Sequence, residues 1–304
     1  MSPLSELTAP ALRAALHDGS LCLRTGAFSV RVRSAIPAVA ETLALLYADY
    51  PAEVGAEFAD FHIHLRRPLG PRRWLRPQVA FDMDGAAPFQ PLPLAQAFPM
   101  FEWVLNWYVS SRAHSYLVIH AAAVEKGGRV AILPAPPGSG KSTLCAALVC
   151  AGWRLLSDEL TLVRLDDGAV QPVPRPVSLK NASIGVIRDF APGAVLSPAV
   201  TDTSKGTIAH LKAPRDSVRR AADTARPGWI VFPRYVAGAD LSLEPVAPAR
   251  AFTRVAENCF NYGELGRDGF MALGGLADAA PGYDLSYGRL DEALALFEQL
   301  AATP

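Results

Sequence analysis

Two spacings of apolar residues run through this chain. Spacings of three and four mark helices over residues 9–16, 37–50, 94–111, 144–151, 248–262, 266–279 and 291–300. Alternation or short apolar runs mark strands over 21–32, 61–65, 79–83, 116–124, 129–133, 153–156, 160–165, 169–173, 228–235, 241–246 and 283–287, with a further short strand at 177–180. The breaks carry turn chemistry: Gly26, Asp18-Gly19, Lys126-Gly127-Gly128 and Asp166-Asp167-Gly168. Residues 68–76, rich in proline and arginine, read as a loop. Residues 181–200 read as irregular with a short helix near Ile187. The polar stretch 202–207 reads as a mobile loop. The order of elements predicts a small N-terminal α+β domain with an antiparallel sheet over residues 1–95. A larger α/β domain follows over 96–304. The helix 94–111 carries Phe98, Phe101, Trp103, Trp107 and Tyr108 and is expected to be a core helix between the two rather than a binding face.

One stretch carries chemistry. The strand 129–133 runs into Ala135-Pro136-Pro137-Gly138-Ser139-Gly140-Lys141-Ser142-Thr143, and a helix opens immediately after. Strand, glycine loop, Gly-Lys-Ser-Thr and helix is the layout of a P-loop. Backbone N–H groups of such a loop and first helical turn cradle phosphate oxygens. Pro137, Gly138, Ser139, Gly140, Lys141, Ser142 and Thr143 are therefore the expected nucleotide-binding residues, with Lys141 on the phosphates and the Ser142 hydroxyl on Mg²⁺. Ala135 stands where a first glycine is usual. The strand before the loop is reached through a hairpin, so it has an antiparallel neighbour.

One helix and one strand after Lys141 comes Ser157-Asp158-Glu159. Phosphoryl transfer needs a carboxylate near the attacking hydroxyl and another group near the metal, and Asp158 and Glu159 can divide those tasks. Lys205, in the 202–207 loop, is a candidate phosphate contact, and Arg234 a weaker one. His120, among apolar neighbours, reads on its own as a core histidine. His62 and His64 share one strand face without a third ligand in view and read as solvent-facing.

Composition narrows the partners. Over 304 residues, 29 basic side chains balance 29 acidic ones, which removes any whole-chain argument for nucleic acid or a membrane surface. No signal-like segment opens the sequence, and a cytoplasmic location is expected. The four cysteines lack metal-type spacing and read as buried structural thiols.

His120-Ala121-Ala122 with its hairpin, Pro137-Gly138-Ser139-Gly140-Lys141-Ser142, Gly152-Trp153 and Ser157-Asp158-Glu159 together resemble the HPr kinase/phosphorylase superfamily. The resemblance covers about residues 115–180. The tail, Asn261-Tyr262 to Gly269-Phe270 and Tyr287-Gly288-Arg289-Leu290, is similar to the subset called HPr kinase-related proteins. The family has glycine where Ala121 stands, and more often a second aspartate where Glu159 stands. The resemblance implies a P-loop kinase core of the HPr kinase and PEP carboxykinase type, a mixed sheet with antiparallel hairpins. It implies ATP and Mg²⁺, with Asp158 as general base toward a serine hydroxyl of a protein or peptide. Glu159 and Ser142 would lie near the metal, His120 in the active site, and the protein could be a homo-oligomer. A small-alcohol kinase, a nucleotide hydrolase and a non-catalytic ATP-binding regulator are the alternatives.

Overall fold

Gly127 and Gly128 both have positive φ, 61° and 82°, as a two-residue hairpin turn requires, and they fold the strand Ala121–Lys126 back onto Arg129–Pro134. In the computed structural model, which describes residues 1–70, 75–83 and 85–303, this hairpin lies inside a six-stranded sheet. The order across that sheet is Arg154–Ser157, Ala121–Lys126, Arg129–Pro134, Arg226–Tyr235, Gly282–Tyr287 and Ser242–Val246. The three strands from Arg129–Pro134 to Gly282–Tyr287 are mutually parallel, and their outer neighbours are antiparallel. The fold is mixed α/β, with the antiparallel hairpin where the sequence predicts it.

The sheet is buried on both faces, and its period-two pattern assigns each residue to one of two cores. Ala122, Val124, Ala131, Leu133 and Val231 join the larger core, with Leu144, Leu148 and Phe297 from the helices Lys141–Cys150 and Leu290–Ala302. Ala121, Ala123, Val130, Ile132 and Ile230 face the other core, with Val255 and Leu273 from the helices Pro248–Ala256 and Arg267–Ala279. Burial of both faces explains why these strands read as continuous apolar runs.

A seven-stranded sheet is formed entirely by residues 2–93, antiparallel except where Phe28–Ser34 pairs with Phe61–Arg66. The helix Ala97–Arg112 packs against it and buries Phe98, Phe101 and Tyr108. The larger core is continuous from this sheet into the six-stranded one. The hairpin turn at Gly26 makes one of the contacts. Its φ is +62°, and a Cβ there would lie 2.3 Å from the carbonyl oxygen of Pro172.

Several expectations need correction. The strand expected over 116–124 breaks at His120. Tyr116–Ile119 pairs with Thr161–Arg164 in a separate three-stranded sheet, and Ala121–Lys126 joins the six-stranded one. The cause lies in the segment 258–261: the His120 N–H donates to the Asn258 carbonyl at 2.7 Å, and the Val118 N–H donates to the buried side-chain oxygen of Asn261 at 2.9 Å. The same segment ends the helix expected over 248–262 at Ala256. The open loop expected over 202–207 is the tip of a hairpin between Val200–Thr203 and Gly206–Leu211. Its tip is pinned because the Thr203 hydroxyl donates to the Gly206 carbonyl and the Gln96 amide donates to the Asp202 carbonyl. Cys150 is exposed, and Cys259 is half-buried, so only Cys22 and Cys145 are buried thiols. The loop expected over 68–76 lies partly outside the described residues. No helix among the described residues is long and apolar enough to cross a membrane.

Gly26→Ala should destabilise the protein by about 1–3 kcal/mol, through left-handed strain and collision with Pro172. Urea unfolding monitored by tryptophan fluorescence measures it.

Candidate active site

Gly138 and Gly140 take φ of 86° and 90°, and this alternation curls the chain into a concave turn ahead of the helix Lys141–Cys150. A Cβ on Gly140 would come 2.9 Å from the Tyr235 side chain and 2.9 Å from the Tyr287 hydroxyl, so only glycine fits. Ala135 lies outside the left-handed region and is buried, so alanine is accommodated there without strain. No side chain caps the helix, and its first N–H groups have no carbonyl ahead of them. Pro137 is exposed on the loop, and Ser142 and Thr143 are half-buried in the first turn.

Lys141 is only 8% exposed, and its Nζ has no hydrogen-bond partner among the described residues; the Ser139 hydroxyl is buried and unpartnered as well. Burial pulls the Lys141 pKa down, while Asp158 and Glu159 hold it up. Asp158 follows the strand Arg154–Ser157 and is 6% exposed. Its Oδ2 accepts from the Ser178 N–H at 3.0 Å, and its Oδ1 has no partner. Burial and the neighbouring Glu159 push the Asp158 carboxyl up to about 6, against the pull of Lys141. Glu159 moves the other way. Burial raises it, but Lys180, Lys205, Lys141 and Arg175 outweigh that and hold it below the usual carboxylate range. His120 is pulled down to about 4 by burial and by Lys141, against Glu159, and is therefore neutral at pH 7. The fold thus brings Lys141, Asp158, Glu159 and His120 into one electrostatic neighbourhood.

Two cavities flank this cluster. The larger, about 810 Å³, opens beyond the C-terminal ends of the three parallel strands and is bordered by Gly138, Ser139 and Arg234. Arg254 stands on its wall, 3.6 Å over the Phe232 ring and 2.6 Å from Asp284 Oδ1. The C-terminal edge of parallel strands is where ligands of such sheets bind. The smaller cavity, about 190 Å³, is bordered by Asp158 and Glu159 and also by Lys205. Lys205, expected at a phosphate, thus stands on the carboxylate side, exposed at the hairpin tip.

Sequence reasoning missed three of the site's neighbours. The Asn106 amide donates to Glu159 Oε2 at 2.7 Å, and Lys180 Nζ lies 3.6 Å from Glu159 Oε1. Arg175 donates to Asn106 Oδ1 and lies 3.5 Å from Glu102, which accepts from the Tyr47 hydroxyl at 2.6 Å. The available signal was Pro174-Arg175-Pro176, a single cation between two residues that fix the backbone. Asn106 sits on the aromatic helix, where nothing in the pattern marks it.

No family model and no curated protein matches this sequence. Among solved structures the chain is similar to the Hpr(Ser) kinase/phosphatase from Coxiella burnetii, with 12% identity and a TM-score of 0.27 over 60% of this chain and 92% of that one. The likeness is distant.

Lys141→Met removes the cation that opposes burial of the Asp158 carboxylate. The carboxyl should then titrate above its present value of about 6, which carbon-13 NMR of the labelled side chain reads directly.

Proposed function

We propose that this chain is an ATP-dependent kinase that transfers the γ-phosphoryl group to an alcohol hydroxyl, the serine-kinase type of reaction that its sequence resemblance implies. The observation that carries the reading is a pair of buried, unpartnered polar atoms, Lys141 Nζ and Asp158 Oδ1, beside a two-glycine helix N-terminus. Unpaired buried charge is costly, and a ligand that brings negative phosphate to one atom and a hydroxyl to the other relieves both.

The residues fit ATP and Mg²⁺. Gly138 to Thr143 offer the backbone and hydroxyl groups for phosphates, and the larger cavity next to Gly138 and Ser139 has room for the nucleoside. Mg²⁺ is commonly held by one or two protein oxygens together with phosphates and waters, which matches the Ser142 hydroxyl and the Glu159 carboxylate. When bound, the metal neutralises phosphate charge. Among the described residues no cluster of three ligating side chains competes with that assignment.

Each residue's part follows from its environment. Lys141 faces the transferring phosphoryl group as a positive charge in a site of low dielectric. Asp158, with Oδ2 fixed by the Ser178 N–H, accepts the acceptor's hydroxyl proton on Oδ1. A carboxyl near 6 is a better proton acceptor than an ordinary aspartate and is still ionised at pH 7. Glu159 stays charged because cations surround it. His120, neutral, offers a hydrogen bond without adding charge. Leu92, at the end of residues 1–95, and the aromatic helix with Pro99 and Trp103 wall the site on the carboxylate side.

The test is phosphoryl transfer from labelled ATP, with the product located by mass spectrometry. Asp158→Asn should lower kcat about 10²–10⁴-fold while nucleotide binding persists. Undiminished transfer by that variant removes Asp158 as the base.

The pH dependence has a definite sign. Asp158 acts in its ionised form, so kcat/KM, which reports the free protein, should fall as pH drops through about 6. A kcat/KM flat from pH 7 to pH 5 in stopped assays contradicts the assignment.

A further inference from the structure

We infer that the acceptor is a small hydroxy acid held in the cavity between Asp158 and the 200–211 hairpin, rather than a serine on the surface of a folded protein. This rests on the kinase reading and names its second substrate.

The cavity is a half-open pocket with a defined lining. Its volume is about 190 Å³. An apolar cavity of about 150 Å³ holds one benzene ring, so this one admits a single molecule only somewhat larger. Trp103 and Pro99 from the aromatic helix, with Ile208 from the hairpin, supply an apolar wall. The Ser204-Lys205 tip closes another side, and that tip is held by the Gln96–Asp202 hydrogen bond and by Asn181, whose side chain bonds the Lys205 carbonyl and the Thr207 N–H. The pocket is half-open to solvent, so its charges rather than its size decide between a small acceptor and a protein side chain.

The charges around the cavity identify the ligand's polar ends. Three acids and three cations border it. Glu102 lies against Arg175, and Glu159 against Lys180. Asp158 and Lys205 are left without an ion-pair partner, Lys205 acting on Glu159 only at longer range. Asp158 is nine-tenths buried with Oδ1 unpartnered, and Lys205 forms no ion pair among the described residues. His210, on the same wall, is pulled down to about 4 by burial and adds no charge at neutral pH. What fits is a hydroxyl toward Asp158, an anionic group toward Lys205, and a short apolar body between them on Trp103.

The step balances with ATP as the donor. The acceptor's O–H proton goes to Asp158 Oδ1, and the acceptor's own oxygen forms the new O–P bond. The bond between the γ-phosphorus and the bridging oxygen breaks, and ADP leaves with the electron pair.

The experiment has two arms on the full chain. Calorimetry without nucleotide measures binding of L-serine, D-glycerate, 3-hydroxybutyrate and a panel of hydroxy acids up to about ten non-hydrogen atoms, against glycerol and 1,3-butanediol as uncharged partners. Turnover with labelled ATP then compares the same panel with peptides and whole-cell extract. At least one hydroxy acid should bind and be phosphorylated, and its uncharged partner should do so far more weakly. Lys205→Met, an exposed change that leaves the fold intact, should raise the KM for that acid about tenfold without moving the KM for ATP. Trp103→Ala should weaken acceptor binding in the same selective way. A raised KM for ATP in Lys205→Met would place Lys205 on the nucleotide and overturn the inference. Transfer to a protein or peptide with no hydroxy acid bound would overturn it too, while leaving the kinase reading intact. Absence of nucleotide binding removes the kinase reading, and the calorimetric arm still decides the pocket: no heat with any hydroxy acid overturns it.

Discussion

The organising constraint is the burial of opposite charges that do not satisfy one another. Lys141 and Asp158 are each more than nine-tenths buried, and each keeps one polar atom without a partner. An ion pair taken out of water loses several kcal/mol per ion, and good geometry is needed to recover it. Here the recovery is incomplete, and the displaced titrations record it: burial lowers Lys141 and raises Asp158 to about 6. A protein that only needed a stable core would place leucine at both positions. The arrangement makes physical sense when a ligand completes it, which is why the site, rather than the distant structural likeness, carries the functional reading.

The N-terminal sheet takes part in this constraint. A chain of polar contacts runs from Tyr47 through Glu102, Arg175 and Asn106 to Glu159 and Lys180. Tyr47, on the N-terminal side, and Glu102, on the aromatic helix, are buried, and the larger hydrophobic core crosses the same boundary without a break. Low dielectric strengthens each contact and raises the cost of losing one. Glu159 therefore owes its low pKa to residues far apart in sequence.

The glycine loop, its helix and the hairpin that feeds it were legible in the sequence because each is local: two left-handed glycines, a turn with two more, and apolar runs of the right length. The acidic pair was legible by its spacing from Lys141. The break at His120 was not. Periodicity runs straight through it, and what changes is the identity of the pairing partner, set by Asn258 and Asn261 far along the chain. The same long-range pairing ended a helix that local apolar spacing would have continued. Asn106 and Lys180 were invisible for a related reason, since a lone polar residue acquires a role only when a distant carboxylate arrives beside it. Arg175 was half legible: two flanking prolines announce a rigid segment but not what it faces.

The strand Arg154–Ser157, which delivers Asp158, does not pair with the strand that leads into the glycine loop. Ala121–Lys126 lies between them, yet the field of Lys141 reaches both carboxylates. The intervening strand is what makes this possible. Ala121, Ala122 and Ala123 are fully buried and present methyl groups only, Ala122 toward the helix Lys141–Cys150 and its neighbours toward the opposite core. That helix packs directly on this strand and is itself lined with Ala146, Ala147 and Cys145. Small residues on both surfaces let a helix lie close over a sheet, and close-packed interiors leave no slack for a larger side chain. The helix can therefore span the inserted strand and bring its N-terminus near the edge strand's acidic end. The run Ala121-Ala122-Ala123 thus has a physical reason that no single residue in it displays: it is the thin part of the sheet across which the glycine loop and the carboxylates approach each other.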